Sequence, residues 1–495
     1  MKIKSSVSIL FLCVFSLSVQ GEVKPNALFC NNAVLQRDTP VPVWGSAAPT
    51  EKVTVEFASQ KKTVTADAQG KWKVTLDPMP VSAESRNLKI TGDLKSEMTN
   101  LSFTNILVGE VWVCSGQSNM AFRKGKLKGD GAQENYPKLR LFTVPQKTSL
   151  KPETELIGNW SESLEEAANS FSAVGYYFGR DVLKATGIPI GMIHSAVGGT
   201  SAQAWTSLSG LEKDPSLLIY SKPIRDLLID ENAPGVAKAL GKRGTTVLYN
   251  GMISPLIPYA IRGVIWYQGE SNNGKPFEYR TLFPRMIADW REKWGRGDFP
   301  FFFVQICPYQ AMTPELREAQ FLTWKKTPHT AMAVTIDVGE SNNIHPVKKE
   351  PVGARLALAA RALVYGEKIE YSGPEYDSLK IDRNKAILSF KHVGSGLVAK
   401  DGPLKGFAIA GADKKFVDAK AEIVGDTVVV TGDQVVAPIA VRYGWVNVPD
   451  VNLWNKEGLP ASPFRTDPES LTKDAPSAKQ KKASATVNPE ASKDE

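Results

Sequence analysis

Cysteine and histidine are both scarce in this 495-residue chain, with four of each. Cys13 lies in an apolar leader, and the remaining Cys30, Cys114 and Cys307 are odd in number and lack C-x-x-C spacing, which argues against a disulfide framework and a cysteine zinc site. Beyond the leader, no segment approaches the roughly 20 uninterrupted apolar residues of a membrane span, so no stable membrane insertion is expected. The net charge of +8 comes from lysines spread among acids, with no basic run beside aromatic residues, so nucleic acid is not an expected partner. H-E-x-x-H, a histidine pair at ligand spacing, the P-loop and G-x-G-x-x-G are all missing, so the expected cofactors are none, organic or metal.

What is present is enough hydrophobic sequence, 42% against 23% charged, for two or three domains with real cores. Residues 1–21 read as a secretory signal, with Lys2 and Lys4 ahead of an apolar stretch from Val7 to Val19 and a cut near Glu22. Export to the periplasm or extracellular space follows as an expectation. Leu10-Phe11-Leu12 before Cys13 lacks the small residues that precede a lipidated cysteine. Residues 22–105 alternate in short stretches such as Val53 to Phe57 and Lys71 to Leu76, predicting a β-sandwich-like domain.

From 106 to 365, strand candidates at Val111 to Cys114, Ile190 to His194, Gly263 to Tyr267, Phe301 to Ile306 and Ala331 to Ile336 alternate with amphipathic helices. Those helices lie near Ser172 to Thr186, Tyr279 to Trp294 and Pro351 to Tyr365. The pattern predicts an α/β domain, a largely parallel sheet with helices on both faces and sites at the carboxyl ends of its strands. Residues 366–466 return to β patterning, and 467–495, without aromatics, read as a disordered tail. Oligomeric state is not legible.

Four polar clusters fall at predicted strand ends. In Gly109 to Met120 the apolar run breaks at Ser115-Gly116 and delivers Ser118 between Gln117 and Asn119. A serine at a strand end, just before a helix, has an exposed hydroxyl near backbone N–H groups, which suits a nucleophile. Met120 in place of the last glycine rules out the G-x-S-x-G elbow, and Met120-Ala121 after Asn119 rules out S-x-x-K. Cys114, inside the apolar run, reads as a small hydrophobe rather than a nucleophile. Gly198 and Gly199, after the second strand, can offer an N–H to an oxyanion or simply form a tight turn. The third cluster is Gln268 to Asn272 and the fourth runs from Asp337 to Pro346.

A serine mechanism needs a base. His329 falls in a loop, His392 in the later β module, and His194 ends a buried-looking strand, where it reads as a core residue. His345, in a polar loop before Pro346, is the candidate base, against the alternative that it only precedes a helix.

These blocks, in this order, resemble the sialate O-acetylesterase family of SGNH/GDSL-type carbohydrate esterases. The resemblance rests on Gly116-Gln117-Ser118-Asn119-Met120, Gly198-Gly199-Thr200, Trp266 to Asn272 and Ile344-His345-Pro346. It extends from Leu28-Phe29, through Val34-Leu35-Gln36-Arg37 and Pro42-Val43-Trp44-Gly45, to Leu453 to Pro460. It implies an SGNH-hydrolase-like catalytic domain flanked by β domains, acting on acetylated sugar or glycan. It further implies Ser118 as nucleophile, His345 as base, and oxyanion donors from the Ser118 backbone, Gly199 and Gln268. Many members carry aspartate two residues before the histidine, where this chain has Asn343, and an amide cannot stabilise an imidazolium as a carboxylate does. Glu270 is the expected substitute acid, with Asp337 a lesser candidate.

Gln268 and Glu270 also admit a structural reading, as a hydrogen-bonded brace beneath the loops. Trp205, Tyr267 and Asn272 are possible substrate contacts, although such aromatics more often pack in a core. The expected activity is sialate O-acetyl ester hydrolysis. Esterase action on acetylated plant or algal polysaccharide is the alternative within the enzyme class, and an impaired glycan-binding protein the alternative outside it.

Overall fold

The computed structural model describes residues 23–93, 100–127, 135–229 and 235–467. The leader over 1–21 lies outside these, as does the tail from residue 468. At the centre is a sheet built on β1 (Asn100–Gly116), β2 (Tyr136–Thr143), β3 (Trp160–Ser163), β4 (Ile190–Ala196), β5 (Gly263–Tyr267), β6 (Phe301–Val304) and β7 (Thr330–Ala333). Their order is β3-β2-β4-β1-β5-β6-β7, all parallel except β3, which runs antiparallel to β2.

The apolar runs of β4, β5, β6 and the second half of β1 suit strands whose two faces are both covered. One face, with Val111, Val113, Val264, Trp266, Phe301 and Phe303, packs on α2 (Pro276–Trp294) and α3 (Pro314–Lys326). The other, with Trp112, Cys114, Ile265, Tyr267, Phe302 and Val304, packs on α1 (Ala173–Thr186) and α4 (Glu350–Leu363). The alternation of residues between the two cores is the period of two of a strand.

The expected boundary near residue 105 falls inside β1. The first half of β1 pairs with Ser82–Gly92 in the N-terminal β layer, and its second half is the middle of the central sheet. The Gln36-Arg37 block serves this junction. The Gln36 side chain accepts the Val111 N–H at 2.9 Å, and Arg37 and Arg262 both pair with the buried carboxylate of Glu110. A separate three-stranded sheet includes Val41–Ser46 and Lys71–Leu76, and its Val43, Trp72 and Val74 share one core with Val53, Val55, Leu88 and Ile90. The C-terminal β module has its own core, including Leu388, Ile409, Val430 and Phe464. Asp467, assigned to the tail by composition, is instead buried and pairs with Arg442 at 2.7 Å.

Candidate active site

Register places three of the four clusters side by side. Gly116 at the end of β1 is the ladder partner of Ala196 in β4 and of Tyr267 in β5, so the chains that follow emerge at one level. The first strand inserted between β1 and β2 is β4, and β5 lies on the other side of β1, so the site opens where the winding changes direction. Gly116 has φ of +137°, and a Cβ there would stand 2.1 Å from the Tyr267 carbonyl oxygen. Only glycine permits the chain to turn here, and the turn starts the one-turn helix Ser118–Ala121.

The fourth cluster arrives from the sheet edge. His345 sits in the segment joining β7 to α4, and its Nε2 lies 2.8 Å from Oγ of Ser118. Both residues are half-buried, open to solvent on one side. The His345 loop is tied by its own side chains. Asn343 Oδ1 accepts the His345 N–H at 2.9 Å, while Glu340 accepts from the Asn343 amide and from the Val347 N–H, each at 3.1 Å. Asn343 is thus a turn residue.

Burial holds the His345 imidazole below its ordinary value of 6.5, helped by the positive charges of Lys349 and Lys126. A base works only when neutral, so a lowered value extends activity toward acid. The acidic limb of kcat/KM against pH, for an uncharged ester, is expected below pH 6.5. A limb clearly above that value would contradict the assignment.

The Ser118 turn lies against the Gly198-Gly199 loop. A Cβ on Gly198 would touch Ser118 Cβ at 3.4 Å, and Gly199 adopts φ of +73°. Neither the Ser118 nor the Gly199 backbone N–H has an acceptor among the described residues. Arg243, exposed, donates from Nε to the Gly199 carbonyl at 3.1 Å and has no carboxylate partner among the described residues.

Other expected site residues stand elsewhere in the hydrogen-bond network. Gln268 is buried, its amide donating to the Thr200 carbonyl at 3.2 Å and to Asn272 at 2.8 Å, and its oxygen accepting from Tyr279 at 3.0 Å. With both protons engaged, it braces the loops, the reading that had been the alternative. Glu270 accepts from Asn119 Nδ2 at 2.6 Å and makes no hydrogen bond to His345 among the described residues; its Oε2 is buried without a partner. Burial raises the Glu270 carboxyl above its ordinary range, opposed by Asn119 and Lys349. Asp337 is engaged by Arg355 at 2.7 and 2.8 Å and makes no hydrogen bond to a ring nitrogen among the described residues.

Trp205, Tyr267 and Asn272 are corrected as substrate contacts, since all three are sealed. Trp205 donates to Thr200 Oγ1 at 2.9 Å and packs edge-on against Trp266, Tyr267 donates to Cys307 Sγ, and Asn272 Oδ1 accepts the Ala202 N–H at 2.9 Å. His194 packs against Phe171 and its value is pushed down to about 4 by burial, with Nε2 sealed and unpartnered although part of the residue remains accessible. Burial likewise drives the Cys114 thiol upward, away from thiolate chemistry. Asn119 and Lys349, which bind the site together, carried no signal recognised in the sequence beyond their positions next to Ser118 and four residues after His345.

Residues 108–361 match the model of a family described as carbohydrate esterase, sialic acid-specific acetylesterase. The chain belongs to this family. It is 30% identical over 407 residues to human sialate O-acetylesterase, covering 73% of this chain and 75% of the relative. The rat sialate O-acetylesterase is 32% identical, covering 73% of this chain and 77% of that one. A carbohydrate acetylesterase of Xanthomonas citri superposes with a TM-score of 0.80 at 39% identity, covering 90% of this chain and 100% of the other. Family membership makes the chain a carboxylic ester hydrolase of the carbohydrate esterase class. No helix among the described residues is long and apolar enough to cross a membrane.

Proposed function

We propose that the chain is a serine esterase that removes O-acetyl groups from sugars by two-step acyl transfer. The observation that carries this reading is the 2.8 Å contact between Ser118 Oγ and His345 Nε2 at the end of the central strand. His345 takes the hydroxyl proton as Ser118 attacks the acetyl carbonyl. The same imidazole then protonates the departing sugar oxygen, and water releases acetate from the acetyl-serine by the reverse path. The backbone N–H groups of Ser118 and Gly199 receive the oxyanion, each contributing about 3 kcal/mol to the transition state. Glu270 anchors Asn119, whose amide also holds the Ile344 carbonyl beside His345, rather than bonding the imidazole. Acetate release from p-nitrophenyl acetate by the mature protein, absent in Ser118→Ala, is the supporting result, and equal release by both would defeat the proposal.

Among sugars, an O-acetylated sialic acid is the proposed substrate, supported by the sialate O-acetylesterase relatives and by Arg243. Its guanidinium, held through Nε at the Gly199 carbonyl and without a carboxylate partner among the described residues, stands beside the oxyanion loop, where a sugar carboxylate can pair with it. Arg243→Ala is expected to raise KM for 9-O-acetyl sialic acid roughly tenfold, while leaving p-nitrophenyl acetate hydrolysis within about twofold. Acetylated plant or algal polysaccharide is the second reading, favoured by the half-exposed catalytic pair and the higher identity to the bacterial carbohydrate acetylesterase. Faster acetate release from acetylated xylan than from the sialate, unaffected by Arg243→Ala, would select it. The proposal includes export, on the leader over residues 1–21, and amino-terminal sequencing of the processed protein is expected to begin near Glu22.

A further inference from the structure

Behind the Ser118–His345 pair lies a charged cluster that acyl transfer as written does not use. Lys349 is 1% exposed, yet it carries an ammonium group. Its Nζ donates to Oδ1 of Asn119 and sits 5.1 Å from the ring centre of Phe122 and 5.5 Å from that of Tyr267. Asn119, fully buried, donates from Nδ2 to Glu270 at 2.6 Å and to the Ile344 carbonyl at 3.0 Å. One amide therefore joins the residue after the nucleophile, the residue before the base, a buried cation and a buried anion.

Burying an ammonium group is costly, and where only volume is needed an apolar chain of similar length is as good or better. The charge at position 349 thus calls for a use, and its surroundings supply one. The groups facing Lys349 are Glu270 after β5, Tyr267 at the end of β5, Cys307 after β6, and Glu340 and His345 from its own loop. Lys126 acts on His345 from the loop after the nucleophile. Burial pushes Lys349 down to about 8, with Cys307, Glu270 and Glu340 opposing, so the cation predominates at neutral pH.

We propose that Lys349 is a positioning residue of the esterase. By holding Asn119 it locks the nucleophile turn to the His345 loop, and it sets a buried positive charge behind the catalytic pair. The inference rests on the esterase reading and adds a residue that never touches substrate.

The test measures kcat and KM for p-nitrophenyl acetate from about pH 5 to about pH 9 in wild type, Ser118→Ala, Lys349→Met and Lys349→Arg. For Lys349→Met, kcat is expected to fall roughly 30-fold with KM within about threefold, and the acidic limb to move up by about half a pH unit or more, because the imidazole has lost a neighbouring cation. Lys349→Arg, which keeps the charge, is expected to hold the limb at its wild-type position. Wild-type kcat in Lys349→Met, or a loss of kcat with the limb unmoved, would overturn the inference.

If melting shows that Lys349→Met does not fold, Asn119→Ala takes its place. There the tether is cut and the cation remains, so the same loss of kcat with an unmoved limb supports the inference, and an unchanged kcat overturns it. A wild type without esterase activity defeats the esterase reading and this inference with it, whereas an active wild type alongside an unchanged Lys349→Met defeats this inference alone.

Discussion

Ser118→Ala and His345→Ala are each expected to lower acetyl-ester turnover by roughly 10⁴-fold or more, and the double variant to fall no further than the worse of the two. The two side chains act as one unit. Without the imidazole the Ser118 hydroxyl keeps its proton and is a weak nucleophile, and without the hydroxyl the imidazole has nothing to activate. The half-buried setting of both, and their 2.8 Å contact, mean that neither truncation opens a core cavity, so both variants should melt close to wild type. Steady-state acetate release with a matched thermal scan checks this. Multiplicative losses in the double variant would show that the residues act independently, and the pair would have to be abandoned as the catalytic unit.

Gly116→Ala is expected to destabilise the protein by about 3 kcal/mol or more and to remove most of its activity. The added methyl would lie 2.1 Å from the Tyr267 carbonyl oxygen and 2.9 Å from its nitrogen, at a φ of +137° that L side chains rarely adopt. Neither neighbour can yield cheaply, because both belong to the backbone of β5, hydrogen-bonded on each side in the sheet. Any accommodation must therefore move the end of β1, and with it Ser118. Denaturant midpoints for the two proteins measure the effect. A Gly116→Ala protein with wild-type midpoint and turnover would refute the claim that this glycine sets the nucleophile turn.

Five strands of the central sheet were legible because each carries a short, mostly apolar run between turn signals, and α1, α2 and α4 because their apolar faces recur at helical spacing; β2 and β3, whose charged and polar residues break the apolar run, were not. The helix α3 was not. Arg317, Gln320 and Thr323 lie on its buried face and blur the apolar period, since they serve as hydrogen-bonding groups rather than as core. Gln320 donates to the carbonyls of Gln268 and Val304, and Arg317 donates to that of Val446 in the C-terminal module. The sealed positions of Trp205 and Tyr267 were equally hidden, because an aromatic ring at a strand end reads the same whether it packs inward or faces a sugar.

Ser118 and His345 were identifiable from residue type and local context alone, a small residue and a polar loop at strand ends, and so was the alternation that makes a parallel sheet. Their meeting was not. The His345 loop leaves β7, three strands from β1 and roughly 14 Å away, and returns to the central strand only because residues 334–349 are tied down on the way. The partners of Glu270 were likewise a tertiary matter. A buried carboxylate bonds whichever donor the fold brings within about 3 Å, and here that donor is the side chain of Asn119 rather than the imidazole.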